Sequence, residues 1–547
     1  MAISSCVALA SPATAAAQAP AVGTYDVADV RTSLDRSAVV ASGAAIVEVD
    51  HASVVVTASP SDLRALRALP YPVTAHAQPP ARPKAAGRPR NFPLSDSGYH
   101  SYAELTDATL AIANAHPSIV SRQSIGTSYE GRPIWALKVS DNVGVDEAEP
   151  EVLLTHNQHA REHLTVEMAL YELGELTSGY ASDPRVRAIV DAREIWIVPS
   201  VNPDGAEFDV ATGSYALWRK NRQPNAGSSE IGTDLNRNWG FGWGCCGGSS
   251  SSPASETFRG TAPFSAPETQ VVSNFVQSRR LGGVQQIKAG IDFHSFGELV
   301  LWPFGNTTAD TGPGMTQDQR DTFATLGASM AQASGYTPQQ ASDLYITDGA
   351  IDDWLWGAEG VFEYTFEMYP ATGGASGFYP GDEVIAAQTS RNREAVLRLL
   401  EAADCPYRAI GKEAQYCPPP VAVAPPPPPA ALAAVVPAAS VRSTKVSVGS
   451  DGRVRLFVRC TAAAAGRCRG TATLKARLPG ARRAAIVARK SYVLASGTKK
   501  ITLKLRIAAR RALRARRSLS TTATITTRQL DAPAKTSTRR VTLRVKR

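Results

Sequence analysis

Three side chains within five residues carry the chemistry to weigh first: His159, Glu162 and His163, in the run His159-Ala-Arg-Glu-His163. Imidazole and carboxylate are the ligands that catalytic zinc takes, three from protein with a fourth position left for water. The preceding run, Glu151 to His156, is short, apolar and β-branched and reads as a buried strand. Leu164 to Leu176 then carries apolar residues at helical spacing, so the motif lies where a strand hands over to a helix. A histidine and a carboxylate three residues apart at such a turn can point at one place. Two metal readings follow. In one, His159 and Glu162 are ligands that need a third from elsewhere. In the other, His-x-x-Glu-His is the inverted zinc motif, with both histidines on the metal and Glu162 as general base. A lone HxxE also arises by chance in long chains. The motif alone leaves Glu162 with opposite jobs.

The elements that would position further residues follow in order. From Asn91 on, strands are expected at Ile134–Val139, Glu151–Thr155, Glu194–Pro199, Gly290–His294 and Glu363–Phe366. Helices are expected at Tyr102–Ala115, Thr165–Thr177, Ala266–Ser278, Asp318–Ser334 and Thr389–Ala403. This alternation is that of an α/β domain with a mixed, mostly parallel twisted sheet flanked by helices, where sites gather at the carboxyl ends of strands. His159, His294 and Glu367 each lie at or just after such an end.

The 547 residues exceed one core. Residues 1–19, small and apolar, read as a signal peptide without its basic start, so a secreted protein is expected. Residues 20–90 read as a propeptide, with strands at Ala45–Asp50 and Ser53–Thr57, a helix at Pro60–Ala68, and a Pro/Ala/Arg strip from Gln78 to Arg90 where cleavage would fall. Residues 91–417 form the catalytic domain, 418–437 a Pro-rich linker and 438–547 a β-sandwich. Its strands are expected at Lys445–Leu456, Gly470–Ala476, Ala484–Val493, Lys499–Ile507, Leu519–Thr527 and Arg539–Lys546. No apolar run reaches the roughly 18 residues of a membrane span. Cys405 with Cys417 and Cys460 with Cys468 would close short loops, and Cys245-Cys246 is either a vicinal bridge or reduced, in keeping with an oxidising compartment. From Ala438 to the end there are 29 basic and two acidic residues, against 29 basic and 47 acidic before it. The tail is therefore a candidate binder of anionic or cell-wall polymers.

Further motifs appear in order: Trp218-Arg219-Lys220-Asn221-Arg222, Asp234-Leu-Asn236-Arg237-Asn238-Trp239, Phe293-His294-Ser295, Leu344-Tyr345-Ile346 and Thr365-Phe366-Glu367-Met368. With HxxE, this set resembles the zinc metallocarboxypeptidases, in particular the bacterial carboxypeptidase T type, over roughly Asn91 to Cys417. The resemblance implies the zinc-carboxypeptidase fold and a zinc held by His159, Glu162 and His294. It makes Glu367 the base, leaves His163 off the metal, and gives Arg219 the oxyanion. Asn236 and Arg237 would hold the substrate's terminal carboxylate, Tyr345 would close over it, and Arg161 would guide it inward. Asp234 would orient His159 from its outer nitrogen. The implied activity is exopeptidase cleavage of single residues from peptide and protein C-termini by a monomer.

The resemblance also implies structural calcium at Asp146, Glu147, Glu151 and Glu194, where a dense acidic run offers hard oxygen ligands. Ser97, Tyr99 and Glu104 would form another calcium site. In the side-chain pocket it places Asp343, Asp352, Leu301 and Gly305. A pocket aspartate favours cationic ends, so a broad preference with Lys and Arg foremost is expected. The alternatives are a hydrophobic-preferring enzyme, or one acting on peptidoglycan peptides.

Overall fold

The computed structural model describes residues 22–77, 92–417, 438–461, 467–528 and 534–546. The expected signal peptide, the cleavage strip Gln78–Arg90 and the Pro-rich linker lie outside the described residues. The chain forms two compact units, Met1–Pro419 and Pro420–Arg547.

The first unit is built on an eight-stranded sheet. In spatial order its strands are Thr337–Gln340, Leu299–Trp302, Phe362–Met368, Ile287–Ser295, Glu151–His156, Glu194–Val198, Pro133–Val139 and Val120–Thr127. The four from Phe362–Met368 to Glu194–Val198 run parallel. Every residue of Glu151–His156 and Glu194–Val198 is buried, as continuous apolar runs are when helices cover both sheet faces. Adjacent residues serve opposite faces: Leu154 joins a core with Leu173, Phe323 and Leu399, whereas Leu153 joins another with Val272, Phe275 and Trp354. The parallel register sets Phe293 opposite His156 and His294 opposite Glu367. Three neighbouring strands thus end side by side.

Ahead of this sheet, Ala45–Asp50, Ser53–Ala58, Gly23–Ala28 and Val73–Ala75 make a four-stranded antiparallel sheet. The helices Ser33–Ala41 and Pro60–Leu66 begin in capping boxes, Thr32 with Asp35 and Ser59 with Asp62. Val27, Val39, Val54, Val56 and Leu66 form a separate small core. The first strand and the Ser33–Ala41 helix are additions to the expected pattern.

The second unit pairs a three-stranded sheet (Ala439–Val441, Arg453–Cys460, Gly497–Lys504) with a five-stranded one over one core. The outward residues of Arg453–Cys460 are Arg453, Arg455, Phe457 and Arg459, opposite Lys504, Thr502, Lys500 and Thr498. Two sequence expectations need correction here. Lys445–Leu456 is two strands, broken where Gly452 takes φ +69°. Ile507 opens the helix Ile507–Arg516, whose buried Ala509, Ala512 and Leu513 follow helical spacing in an Ala/Arg-rich run. The bridges are Cys245–Cys246, Cys405–Cys417 and Cys460–Cys468. Among the described residues no helix is long and apolar enough to cross a membrane.

Candidate metal centre and substrate cavity

The turn after Glu151–His156 delivers His159 and Glu162, and the end of Ile287–Ser295 delivers His294. Their donor atoms lie within 4.8 Å of one another and all three residues are buried. Nδ1 of His159 is 2.8 Å from Glu162 Oε1 and 3.0 Å from Nδ1 of His294, which is 2.8 Å from Glu162 Oε2. The outer nitrogens face carboxylates: His159 Nε2 stands 3.1 Å from Asp234 Oδ1, and His294 Nε2 stands 2.6 Å from Asp292 Oδ2. With its outer nitrogen donating to a carboxylate, each imidazole would be free to offer Nδ1 to a metal. Two imidazoles and a carboxylate gathered at one point suit a dication, and zinc takes this donor set. Burial would raise the Glu162 carboxyl, but the two imidazoles hold it well below the usual range.

His163 is outside this group. Its Nε2 lies 2.9 Å from Asp209 Oδ2 and its ring meets Phe92 edge-on, which removes the inverted-motif reading.

Asp234 fixes more than His159. Its Oδ2 accepts from Arg219 Nε at 3.0 Å and stands 3.0 Å from Arg219 Nη2, a buried ion pair that sets the guanidinium. Burial works against ionising Asp234, yet Arg219 and His159 keep it well below the ordinary range. Asp292 accepts from Thr155 Oγ1 at 2.6 Å and Gln158 Nε2 at 2.5 Å as well as facing His294. Sequence reasoning missed Asp292. The signal was there: two residues before a histidine on one strand, a side chain shares its face.

A cavity of about 260 Å³ opens on His159 and Glu162 and is lined also by Arg219, Asn236, Arg237, Leu301, Tyr345, Asp352 and Glu367. Burial pushes the Glu367 carboxyl up to about 8 against the pull of His294. Asp352 lies in the wall, whereas its neighbour Asp353 turns away to accept from Gly305 N at 2.8 Å and Asn306 N at 3.1 Å. Part of the wall comes from the N-terminal sheet and its helix Ser33–Ala41: the strand stretch Ile46 to Val49 and Arg36. Arg36 Nε donates to Leu344 O at 2.5 Å and its Nη2 to Asp343 O at 2.7 Å. Val47 packs with Phe296 and Phe378, and Tyr345 rests on the N-terminal core.

Five placements differ from expectation. Asp343 is exposed and meets Arg36 through its backbone, because it ends a short helix that turns its side chain to solvent. Gly305 sits against Thr347, which takes the lining position instead. Arg161 is wholly buried, 4.1 Å over the Phe378 ring and 3.4 Å from Glu256, behind the cavity rather than at its mouth. Of the first calcium set, Asp146, Glu151 and Glu194 do converge, but on cations: Arg279 reaches Asp146 at 2.8 Å and Glu151 at 2.6 Å, and Lys138 reaches Glu194 at 2.6 Å. Glu147 instead groups with Asp141 and Glu149. In the other set Glu104 caps its helix through Ser101, Tyr99 donates to Pro380 O, and Ser97 is exposed. Three of the first set thus bring oxygens within 4.8 Å of one another beside those cations, whereas the second set is engaged in separate contacts.

Residues 105–395 match the model of the zinc carboxypeptidase family. A zinc carboxypeptidase of Saccharothrix mutabilis subsp. capreolus is 47% identical over 425 residues, 75% of this chain and 97% of that protein. Carboxypeptidase A1 of Rattus norvegicus is 32% identical over 289 residues, 52% of this chain and 66% of that protein. In fold, the chain resembles the crystal structure of carboxypeptidase A from Helicoverpa armigera, with TM-score 0.57 and 23% identity over 72% of this chain and 99% of that one.

The outer carboxylates make a prediction for metal retention. Asp292→Asn is expected to weaken zinc binding about 10–100-fold, the usual cost of losing such a partner. Competition against a chromogenic chelator measures it, and an unchanged affinity would show that Asp292 does not orient His294.

Proposed function

The chain belongs to the zinc carboxypeptidase family, and from that premise we propose that it frees single residues from the C-termini of peptides and proteins with the roles below. The observation that carries the reading is that His159, Glu162, Glu367, Arg219 and Arg237 line one cavity, with His294 beside the first two. Zinc held by His159, Glu162 and His294 supplies Lewis acidity and a water of lowered pKa when bound. Glu367, across the sheet register from His294, takes the proton of the attacking water and returns it to the leaving amine. Arg219, braced by Asp234, meets the oxyanion as it develops. Arg237 and Asn236 hold the terminal carboxylate, which confines cleavage to the last residue. Glu367→Gln is expected to keep about one zinc per chain while activity falls by ~10²–10⁴-fold or more. Sustained turnover in that variant, with zinc content measured alongside, would remove Glu367 from the role.

Side-chain preference rests on Asp352. Burial raises its carboxyl to about 6, and the nearby Asp292 charge adds to this. A substrate cation stabilises the ionised form and is stabilised by it, so Lys and Arg are preferred, with Leu301 admitting apolar ends. The preference for Arg over Leu is then expected to grow as pH rises through about 6, where Asp352 ionises. Asp352→Ala is expected to cut the Arg-to-Leu ratio of kcat/KM at least tenfold, since stripping one partner from a buried charge pair costs ~2–5 kcal/mol. A ratio that neither falls in this variant nor moves with pH would assign selection elsewhere.

Latency is the third part of the proposal. Arg36 and the Ile46–Val49 stretch fill the side of the cavity where a peptide would enter, and Tyr345 is held against the N-terminal core. The untrimmed chain is expected to be nearly inactive, and cleavage near Arg90 to release activity. Equal rates for the two forms would refute latency. The three bridges support secretion, where such pairs persist.

The basic unit completes the reading as a binder of anionic polymer. Arg453, Arg455, Arg459, Lys500 and Lys504 share an outer sheet face with the exposed Phe457. Retention of the full chain on polyphosphate is expected to fall steeply as salt rises, through counterion release. Retention indifferent to salt, or to Arg455→Glu, would count against it.

A further inference from the structure

The Cys245–Cys246 bridge sits in the turn Gly242–Ser249, with both cysteines exposed. Gly242, Gly244 and Gly247 take φ of +62°, +64° and +82°, the left-handed region that lets the chain wind around the bridge. Just past it, Gly248 lies so close to the neighbouring loop that a Cβ would fall 2.4 Å from the Thr347 backbone. Gly248 N donates to Asp348 Oδ2 at 2.9 Å, Cys246 N donates to the same oxygen at 3.3 Å, and the Ser249 hydroxyl donates to Oδ1. The buried Asp348 thereby clamps the turn from below. The Gly248 carbonyl points the other way and accepts from Arg237 Nε at 2.9 Å, while Arg237 Nη1 donates to Asn236 O at 2.6 Å. Together these two carbonyls set the plane of the guanidinium.

A vicinal bridge closes almost no chain. The entropic stabilisation of a disulfide grows with the logarithm of the loop it closes, so this one adds little to global stability. What it does fix is local: rotation about the backbone of two adjacent residues, immediately before the carbonyl that orients Arg237. We propose that the Cys245–Cys246 bridge is a positioning device for Arg237 and sets the enzyme's affinity for the substrate's terminal carboxylate. This rests on the reading of Arg237 as carboxylate anchor. A guanidinium fork recognises a carboxylate by two parallel bonds, and a tilt of its plane weakens both at once.

The test uses the activated, zinc-loaded protein and a peptide substrate with a free C-terminus. Cys245→Ser, Cys246→Ser and the double variant open the same ring. All three are expected to raise KM by the same ~10-fold, short of the ~10²-fold that a 1 Å misplacement can cost. Their kcat and Tm are expected to stay near wild type, because neither the metal triad nor a long loop is touched. Arg237→Gln is run beside them. If it leaves KM unchanged, the anchor reading fails and the proposal falls with it. If it raises KM but the cysteine variants do not, the bridge alone loses its role. Effects that add in the double variant, or a KM rise that comes with a large drop in Tm, would mark the cysteines as ordinary packing and overturn the proposal.

Discussion

Two imidazole nitrogens 3.0 Å apart share a buried glutamate and are backed by carboxylates, and this gathering of His159, Glu162 and His294 is the constraint on which the site depends. Much of the first unit serves to hold that arrangement. Parallel strands put His294 and the His159 turn at neighbouring ends, and strands buried on both faces cannot slip to relax it. Asp234 and Asp292 supply orientation from the outside, each tied to further groups: Arg219 for one, Thr155 and Gln158 for the other. Loss of any of these partners would leave a buried carboxylate with an unmet charge, so the scaffold and the site stabilise one another through the same residues.

Much of this was legible in the sequence. Continuous apolar strands announced a covered, largely buried sheet, and the resemblance carried by the ordered motifs implied that Arg219, Asn236, Arg237, Tyr345 and Glu367 share one site, where they line one cavity. What was not legible depends on distances across the fold. Asp146, Glu151 and Glu194 look like a bare acidic cluster until Arg279 and Lys138 arrive from elsewhere in the chain. Arg161 sits two residues from a metal ligand, yet the turn drives it behind the cavity under Phe378. Asp343 and Asp352 are equally plausible by type, and backbone direction alone separates the exposed one from the buried one. In the basic unit, period-two alternation found the strands but could not see the Ile507–Arg516 helix, where arginine and alanine fit either pattern.

The N-terminal sheet extends the same logic to access. Its strand Ala45–Asp50 departs from regular pairing with the next strand between Ile46 and Glu48, beside the cavity. A bulge there re-aims side chains, and Val47 meets Phe296 and Phe378. Glu48 accepts from Gly373 N at 2.7 Å and from Gly374 N, on a loop of the larger sheet. Arg36 binds carbonyls and leaves the metal triad untouched, so this domain can cover the cavity while the triad keeps its own geometry.

Charge around the cavity has a further consequence. Glu162, Asp234, Asp292, Asp352 and Glu367 are carboxylic groups in or just behind one wall, with Arg219, Arg237 and Arg36 as cations facing the cavity. The carboxyl of Glu363, fully buried on the strand that carries Glu367, is pushed well up by burial and by Asp292 and Asp352. The surplus is therefore divided. Arg219 and His159 hold Asp234 low and the two imidazoles hold Glu162 low, whereas burial raises Asp352 and Glu367. These two are the groups whose charge a bound dication or an arriving substrate cation can change, and both line the cavity.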